Sequence, residues 1–171
     1  MPACASPDQA APVPRPTVVL GVGNLVRGDD GVGLHAVRAL AAMALPAGVE
    51  VVEGDTAPFD ALSTVGPVGK LIVVDAAEMG EPAGTIRRLT PADLAAGEAA
   101  QVSLHDLDLL WALEALRATG HEPDEVVIVG VQPASMEWSL ELSPAVRAQL
   151  AAVTEAVLSE VGAGPAGGAG R

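Results

Sequence analysis

Three runs in the chain, VVLGV at 18–22, LIVVDA at 71–76 and VVIVGV at 126–131, are almost unbroken stretches of Val, Ile and Leu. A strand with one wet face alternates apolar and polar residues. A continuous apolar run of this length instead fits a strand covered on both faces, as in a parallel sheet sandwiched between helices. Apolar spacing and turn residues predict strands at 17–22, 49–53, 70–75, 84–89 and 125–131, and helices at 29–43, 57–64, 106–119 and 144–160. Strands and helices alternate, so the expected class is α/β: a three-layer sandwich with a twisted, mostly parallel five-stranded sheet and helices on both faces. The turn Glu81-Pro82-Ala83-Gly84 brings 84–89 in as an antiparallel edge strand.

Local signals set the boundaries. Ser143-Pro144 is an N-cap followed by proline at the first helical position. Gly120 ends the preceding helix as a C-cap, and Ser103-Leu104-His105-Asp106 has the spacing of a capping-box variant. Residues 1–15 are rich in Pro and Ala and read as a disordered leader, 16–161 as one α/β domain, and 162–171 (GAGPAGGAGR from Gly162) as a flexible tail. There are no internal repeats.

The chain has 171 residues, enough for one domain with a substantial core, and its 50% hydrophobic content comes mostly from Ala, Val and Leu. No apolar run approaches the ~20 residues of a membrane helix, and no basic stretch leads into an apolar one at the N-terminus. A cytoplasmic protein without a membrane partner is expected. The net charge of −13 repels phosphate backbones and anionic headgroups, which argues against nucleic acid and favours cations or basic protein surfaces. The single cysteine, Cys4, lies in the leader and can join neither an internal disulfide nor a cysteine metal cluster.

The first strand runs into the segment GVGNLVRGDDGVGLHAV, a glycine-rich loop that feeds a helix, where open α/β sheets place their chemistry. It is not a dinucleotide fingerprint. After Gly21 and Gly23 the next glycine is Gly28, five positions on rather than three, and Asp29 and Asp30 put two carboxylates where a pyrophosphate would sit. Asp29 is suited to cap the helix. Asp30 either starts the helix alongside it or holds a cation. Asp75 ends LIVVDA at the carboxyl edge of a central strand, where it either binds a ligand or caps the following loop. His105 falls in the first turn of a helix, where the dipole favours neutral imidazole, the metal-binding form. His35, within the first helix, and His121, in a Gly-His-Glu-Pro turn, are weaker candidates. Asp30, Asp75 and His105 make an O,O,N set suited to a borderline divalent ion with positions left open.

Four motifs in this order, GVGNLVRGDDGVGLHAV, VVDA ending in Asp75, SLHDLDLLWALEAL with His105, and VVIVGVQPASMEWSLELSPAV, closely resemble the [NiFe]-hydrogenase maturation endopeptidases over about residues 17–160. The resemblance implies a cytoplasmic α/β protease that removes a C-terminal extension from a [NiFe]-hydrogenase large-subunit precursor after nickel insertion. It further implies that Asp30, Asp75 and His105 are its metal-contacting and catalytic residues. The nickel then belongs to the precursor and serves as the recognition element; another divalent ion can occupy the site in isolation, and a monomer suffices. Some members carry Glu at the position of Asp30. Some have Gly-Gly where this chain has Gly54-Asp55-Thr56, so Asp55 either adds a carboxylate to the cleft or makes an Asx-type turn. Gly23, Asn24, Asp29 and Asp55 are the candidate substrate-loop residues.

The chain lacks a Gly-x-Ser-x-Gly elbow and an H-E-x-x-H helix, so serine and zincin proteolysis are missing their parts. The opening G-x-G-N also resembles the start of peptidyl-tRNA hydrolases, but no TRHN-like stretch follows and the acidic surface opposes tRNA. A noncatalytic nickel-binding accessory module is the alternative, distinguished by turnover. Met136, Trp138 and Leu140 follow the last strand and either line a substrate cleft or close the core over the final helix; core closure is the expectation.

Overall fold

A computed structural model describes residues 15–96 and 104–163, the side chains of 104–107 excepted. The leader to residue 14 with Cys4, Ser103 of the capping box, the His105 and Asp106 side chains and the tail from 164 lie outside the described residues. The three apolar runs are strands β1 (Thr17–Val22), β3 (Lys70–Ala76) and β5 (Glu125–Val131), with β2 (Val49–Asp55) and β4 (Ile86–Leu89) completing one sheet in the order β2-β1-β3-β5-β4. All neighbours are parallel except β4, which runs antiparallel to β5. Every residue of β3 is buried, the apolar run 71–74 as coverage on both faces requires, and the flanking Lys70 and Asp75 with it. The two edges carry charge instead, Glu50 and Glu53 on β2 and Arg87 and Arg88 on β4, which discourages further pairing.

Helices cover both faces. Side chains of β1, β3 and β5 alternate between two cores. Val19, Ile72, Val74 and Val129 pack with α1 (Val32–Ala41) and α5 (Pro144–Gly162). Val18, Leu20, Leu71, Val73 and Ile128 pack with α2 (Pro58–Ser63), α3 (Pro91–Ala95) and α4 (Leu104–Ala118). The caps expected at Ser143 and Gly120 form. Ser143 Oγ accepts from the Val146 N–H at 3.3 Å with Pro144 at the first helical position. At Gly120 the chain closes α4 with His121 N–H donating to Leu116 O at 2.9 Å.

The helices depart from expectation in two places. Helix α3 is too short for a periodic pattern but is fixed by a capping box between Thr90 and Asp93, with Pro91 at the first position. The first helix begins at Val32 rather than 29. Gly28–Gly31 form a 3-10 turn before it, and its N-cap is Gly31, with no side-chain cap. Asp29 does not cap the helix because its carboxylate is engaged elsewhere. Among the described residues no helix is long and apolar enough to cross a membrane.

Candidate functional site

The chain leaves β1, crosses by α1 to β2 on one side, then returns by α2 to β3 on the other side of β1. The connections therefore diverge between β1 and β3, leaving a crevice at their carboxyl ends, the place where open α/β sheets bind ligands. Both candidate acids sit there. Asp75 is the penultimate residue of β3, and Asp30 lies in the 3-10 turn that follows β1 and packs against β3. Each is only 2% exposed. A carboxylate at this depth persists when it is hydrogen-bonded, paired or coordinated. One Asp75 oxygen accepts from the Ala76 N–H at 2.8 Å, which fixes its rotamer at the strand end.

Two glycines let the turn approach the sheet this closely. Gly23 has φ +126, and a Cβ there would lie 1.8 Å from the Asp30 carbonyl oxygen. At Gly33, in the first turn of α1, a Cβ would lie 2.2 Å from Val74 O and 2.3 Å from Val22 O. The helix thus starts directly over the adjoining ends of β1 and β3. Its positive N-terminal end faces the same edge and favours negative charge beside it.

Asp29, adjacent to Asp30, does something different. Fully buried, it accepts from Ala134 N–H at 2.8 Å and Ser135 N–H at 3.1 Å through Oδ2, and from Ser143 N–H at 2.7 Å through Oδ1. It ties the first loop to the segment after β5. Asn24 folds the loop locally, its Oδ1 accepting from Val26 N–H at 3.1 Å. Asp55 is exposed, has φ +49, and accepts from the Gly23 N–H at 2.9 Å through its main-chain oxygen. Gly23 and Asp55 thus come together at the rim.

Helix α4 precedes β5, which is parallel to β3, so α4 runs back against the strands with its N-terminus toward the carboxyl edge. Phe59, at the start of α2, stacks edge-on to Trp111 at the middle of α4 at 5.1 Å and 67°, holding α2 against α4. The backbone of His105 lies in its first turn. Among the described side chains no group of three or more His, Cys, Asp and Glu could hold a metal ion; the third candidate, the His105 imidazole, is outside them. His121, just beyond the other end of α4, is at the opposite edge of the sheet, and His35 is one turn into α1.

Two hollows open on this edge. One of about 290 Å3 is lined by Thr56, Phe59, Asp60, Asp108 and Trp111 on the β2 side. The other, of about 490 Å3, is lined by Arg27, Met136, Glu137 and Trp138. Met136 packs partly on the core, but Trp138 is 85% and Leu140 74% exposed, so these two do not close the core over α5. A further residue escaped sequence reasoning. Buried Gln132, one step past β5, accepts through Oε1 from Met79 N–H at 2.7 Å and Glu81 N–H at 3.2 Å, and so shapes the loop after Asp75. A lone amide directly after an unbroken apolar strand was the available signal.

Comparison with known proteins gives a consistent result. Residues 34–160 match the family model for hydrogenase maturation proteases. The chain is 36% identical over 144 residues to the hydrogenase 2 maturation protease of Escherichia coli K12, covering 83% of this chain and 88% of that one. It is 32% identical to the hydrogenase expression/formation protein HupD of Rhodobacter capsulatus, over 84% of this chain and 70% of the relative. Among solved structures, the hydrogenase-maturating endopeptidase HybD from E. coli superposes with a TM-score of 0.77 at 34% identity, covering 86% of this chain and 93% of that one. The hydrogenase 2 maturation peptidase of a Thaumarchaeota archaeon gives a TM-score of 0.62 at 30% identity, over 86% and 99%.

Proposed function

Because this chain belongs to the hydrogenase maturation protease family, we propose that it is the cytoplasmic endopeptidase that removes the C-terminal extension of a [NiFe]-hydrogenase large-subunit precursor once nickel has been inserted. The observation that carries this reading is the burial of two carboxylates, Asp30 and Asp75, at the crevice between β1 and β3, with the first turn of α4 directed to the same edge. Asp30 and Asp75 offer hard oxygen donors and His105 offers a nitrogen, a set that suits nickel. The nickel is part of the substrate. A precursor that carries it presents open coordination positions to these three side chains, and one without it presents none.

This gives the site a means of choosing its substrate before any bond is cut. Docking onto the metal holds the scissile peptide beside it, where nickel polarises the peptide carbonyl or lowers the pKa of a water. The grip of Asp30 and Asp75 depends on their rigid mounting, since the strand end fixes one and the Gly23–Gly33 turn fixes the other. A single copy of the chain supplies all three groups, consistent with action as a monomer.

The test is incubation of the purified protein with nickel-loaded and nickel-free precursor. Cleavage is expected of the loaded form only, and Asp30→Ala, Asp75→Ala and His105→Ala should each lower it about a thousandfold or more while remaining folded. Equal cleavage of both precursors would refute nickel recognition. A wild-type protein that binds the loaded precursor without cutting it would point to an accessory module instead.

A further inference from the structure

The segment after β5 is bonded to the Asp30 turn as a short ribbon. Arg27 and Ser139 pair as a parallel bridge, with Gly28 N–H donating to Ser139 O at 2.8 Å and Ser139 N–H to Val26 O at 3.1 Å. Asp29 N–H reaches Ser135 O at 3.1 Å, and the Asp29 carboxylate adds its three further bonds. Residues one step either side of a bridging pair project to the opposite face from the pair itself. Val26, Trp138 and Leu140 therefore share a face, and their exposures are 38%, 85% and 74%.

An indole and a leucine held in water on a hydrogen-bonded ribbon contribute little to folding, because burial on folding is what stabilises such groups. Met136 and Leu142 from the same segment do reach the core; Trp138 and Leu140 do not. Apolar side chains displayed on a rigid mount have the character of interface anchors, where Trp is over-represented. The mount is the turn that carries Asp30, four residues from Val26.

We infer that Val26, Trp138 and Leu140 form the docking face for the hydrogenase large-subunit precursor, taking an apolar segment of that protein flanked by basic side chains. The apolar part follows from the three residues. The basic part follows from the net charge of −13, which repels an acidic partner; in the hollow beside Trp138, Glu137 is joined by Arg27, so the preference comes from the chain's overall charge. The inference rests on the proposed cleavage reaction and deepens it: docking on the ribbon sets the precursor relative to Asp30, since the two are parts of one hydrogen-bonded unit.

The experiment separates landing from cutting. The chain has two tryptophans, so Trp111→Phe leaves Trp138 as the sole indole reporter. Addition of nickel-loaded precursor, itself labelled with a non-fluorescent tryptophan analogue, should shift the Trp138 emission to the blue. An unshifted spectrum while the precursor is being cleaved overturns the docking face. With cleavage scored on the wild-type chain in parallel, a shift without cleavage supports the face and refutes the cleavage reading; neither shift nor cleavage refutes both. In the second arm, Trp138→Ala and Leu140→Ala in the full chain should each raise KM about tenfold with kcat and thermal midpoint unchanged. Unchanged KM, or a loss confined to kcat, overturns the inference.

Discussion

Asp29 and Ser143 are 114 positions apart, yet the Asp29 carboxylate accepts the Ser143 N–H at 2.7 Å. Ser143 donates this bond through its N–H and caps α5 with its hydroxyl. One buried acid thereby connects the loop after β1, the segment after β5 and the start of the last helix. Its neighbour Asp30 lies in the same 3-10 turn but at the β1–β3 crevice. Two adjacent aspartates thus divide between tying the loops together and lining the crevice.

Asp29→Ala should be a stability mutant. It strands three amide donors, those of Ala134, Ser135 and Ser143, whose present partner is a fully buried carboxylate. A loss of about 3 kcal/mol is expected, read from urea midpoints, because buried donors left without an acceptor retain their full desolvation cost. Asp30→Ala should lower the midpoint by less than Asp29→Ala does. If the two variants proved equally stable, the division of roles would be wrong.

Gly33→Ala and Gly23→Ala test the close approach of turn and sheet. At Gly33 both obstructing atoms are main-chain carbonyl oxygens, Val74 O and Val22 O, which cannot swing aside as a side chain could. About 2 kcal/mol or more of destabilisation follows. Gly23→Ala combines a positive φ with a clash against Asp30 O, so it should displace Asp30 and depress cleavage beyond what its stability loss explains. Normal activity in a folded Gly23→Ala protein would count against that placement.

The parts of this structure readable from sequence are those determined by neighbours in the chain. Continuous apolar runs gave β1, β3 and β5, because burial on both faces leaves no polar position in the run. Ser143-Pro144 and Gly120 marked helix ends through bonds spanning a few residues. Asp30 stood out as a second carboxylate at a helix start beside a glycine-rich loop, and Asp75 as a carboxylate at a strand end. What failed was set by distant partners. Asp29 has the local credentials of a helix cap, but its acceptors are used by residues more than 100 positions away. Trp138 and Leu140 were expected in the core, since apolar character alone does not tell whether a loop residue faces in or out. Gln132 was marked only as a lone amide after an apolar strand; the distant loop it organises, with Met79 and Glu81, was not.

Lys70 is another such case, a lysine at the head of an apolar strand and only 3% exposed. Its ammonium donates to Glu160 O and Ala163 O at 2.9 Å each and to a Glu160 carboxylate oxygen at 3.2 Å, so it closes the carboxyl end of α5. Lys70→Met should cost about 2 kcal/mol, through unmatched carbonyls and the lost partner of Glu160. Lying at the amino edge of the sheet, it should leave kcat and KM for precursor cleavage unchanged at a temperature where the variant is folded. A kinetic defect there would show that the two edges are coupled.

Stability should fall in two stages on acidification. Burial, then the charges of Arg38 and Arg147, hold the His35 pKa below its ordinary 6.5. The unfolded chain takes up this proton near 6.5 while the folded protein stays neutral, so below that pH the unfolded state binds more protons and stability declines, until the lowered folded value is passed. Glu53, held low by its Arg38 hydrogen bond, contributes a second decline below its ordinary 4.5. Glu160 joins it, because Arg88 and Lys70 together outweigh the upward push of burial on its carboxyl. His35→Gln removes the titrating group but keeps a polar side chain of similar reach. Urea midpoints measured across pH should then lose the decline that starts at 6.5 and keep the one below 4.5. An unaltered first stage in His35→Gln would mean that another group, and not this imidazole, is responsible.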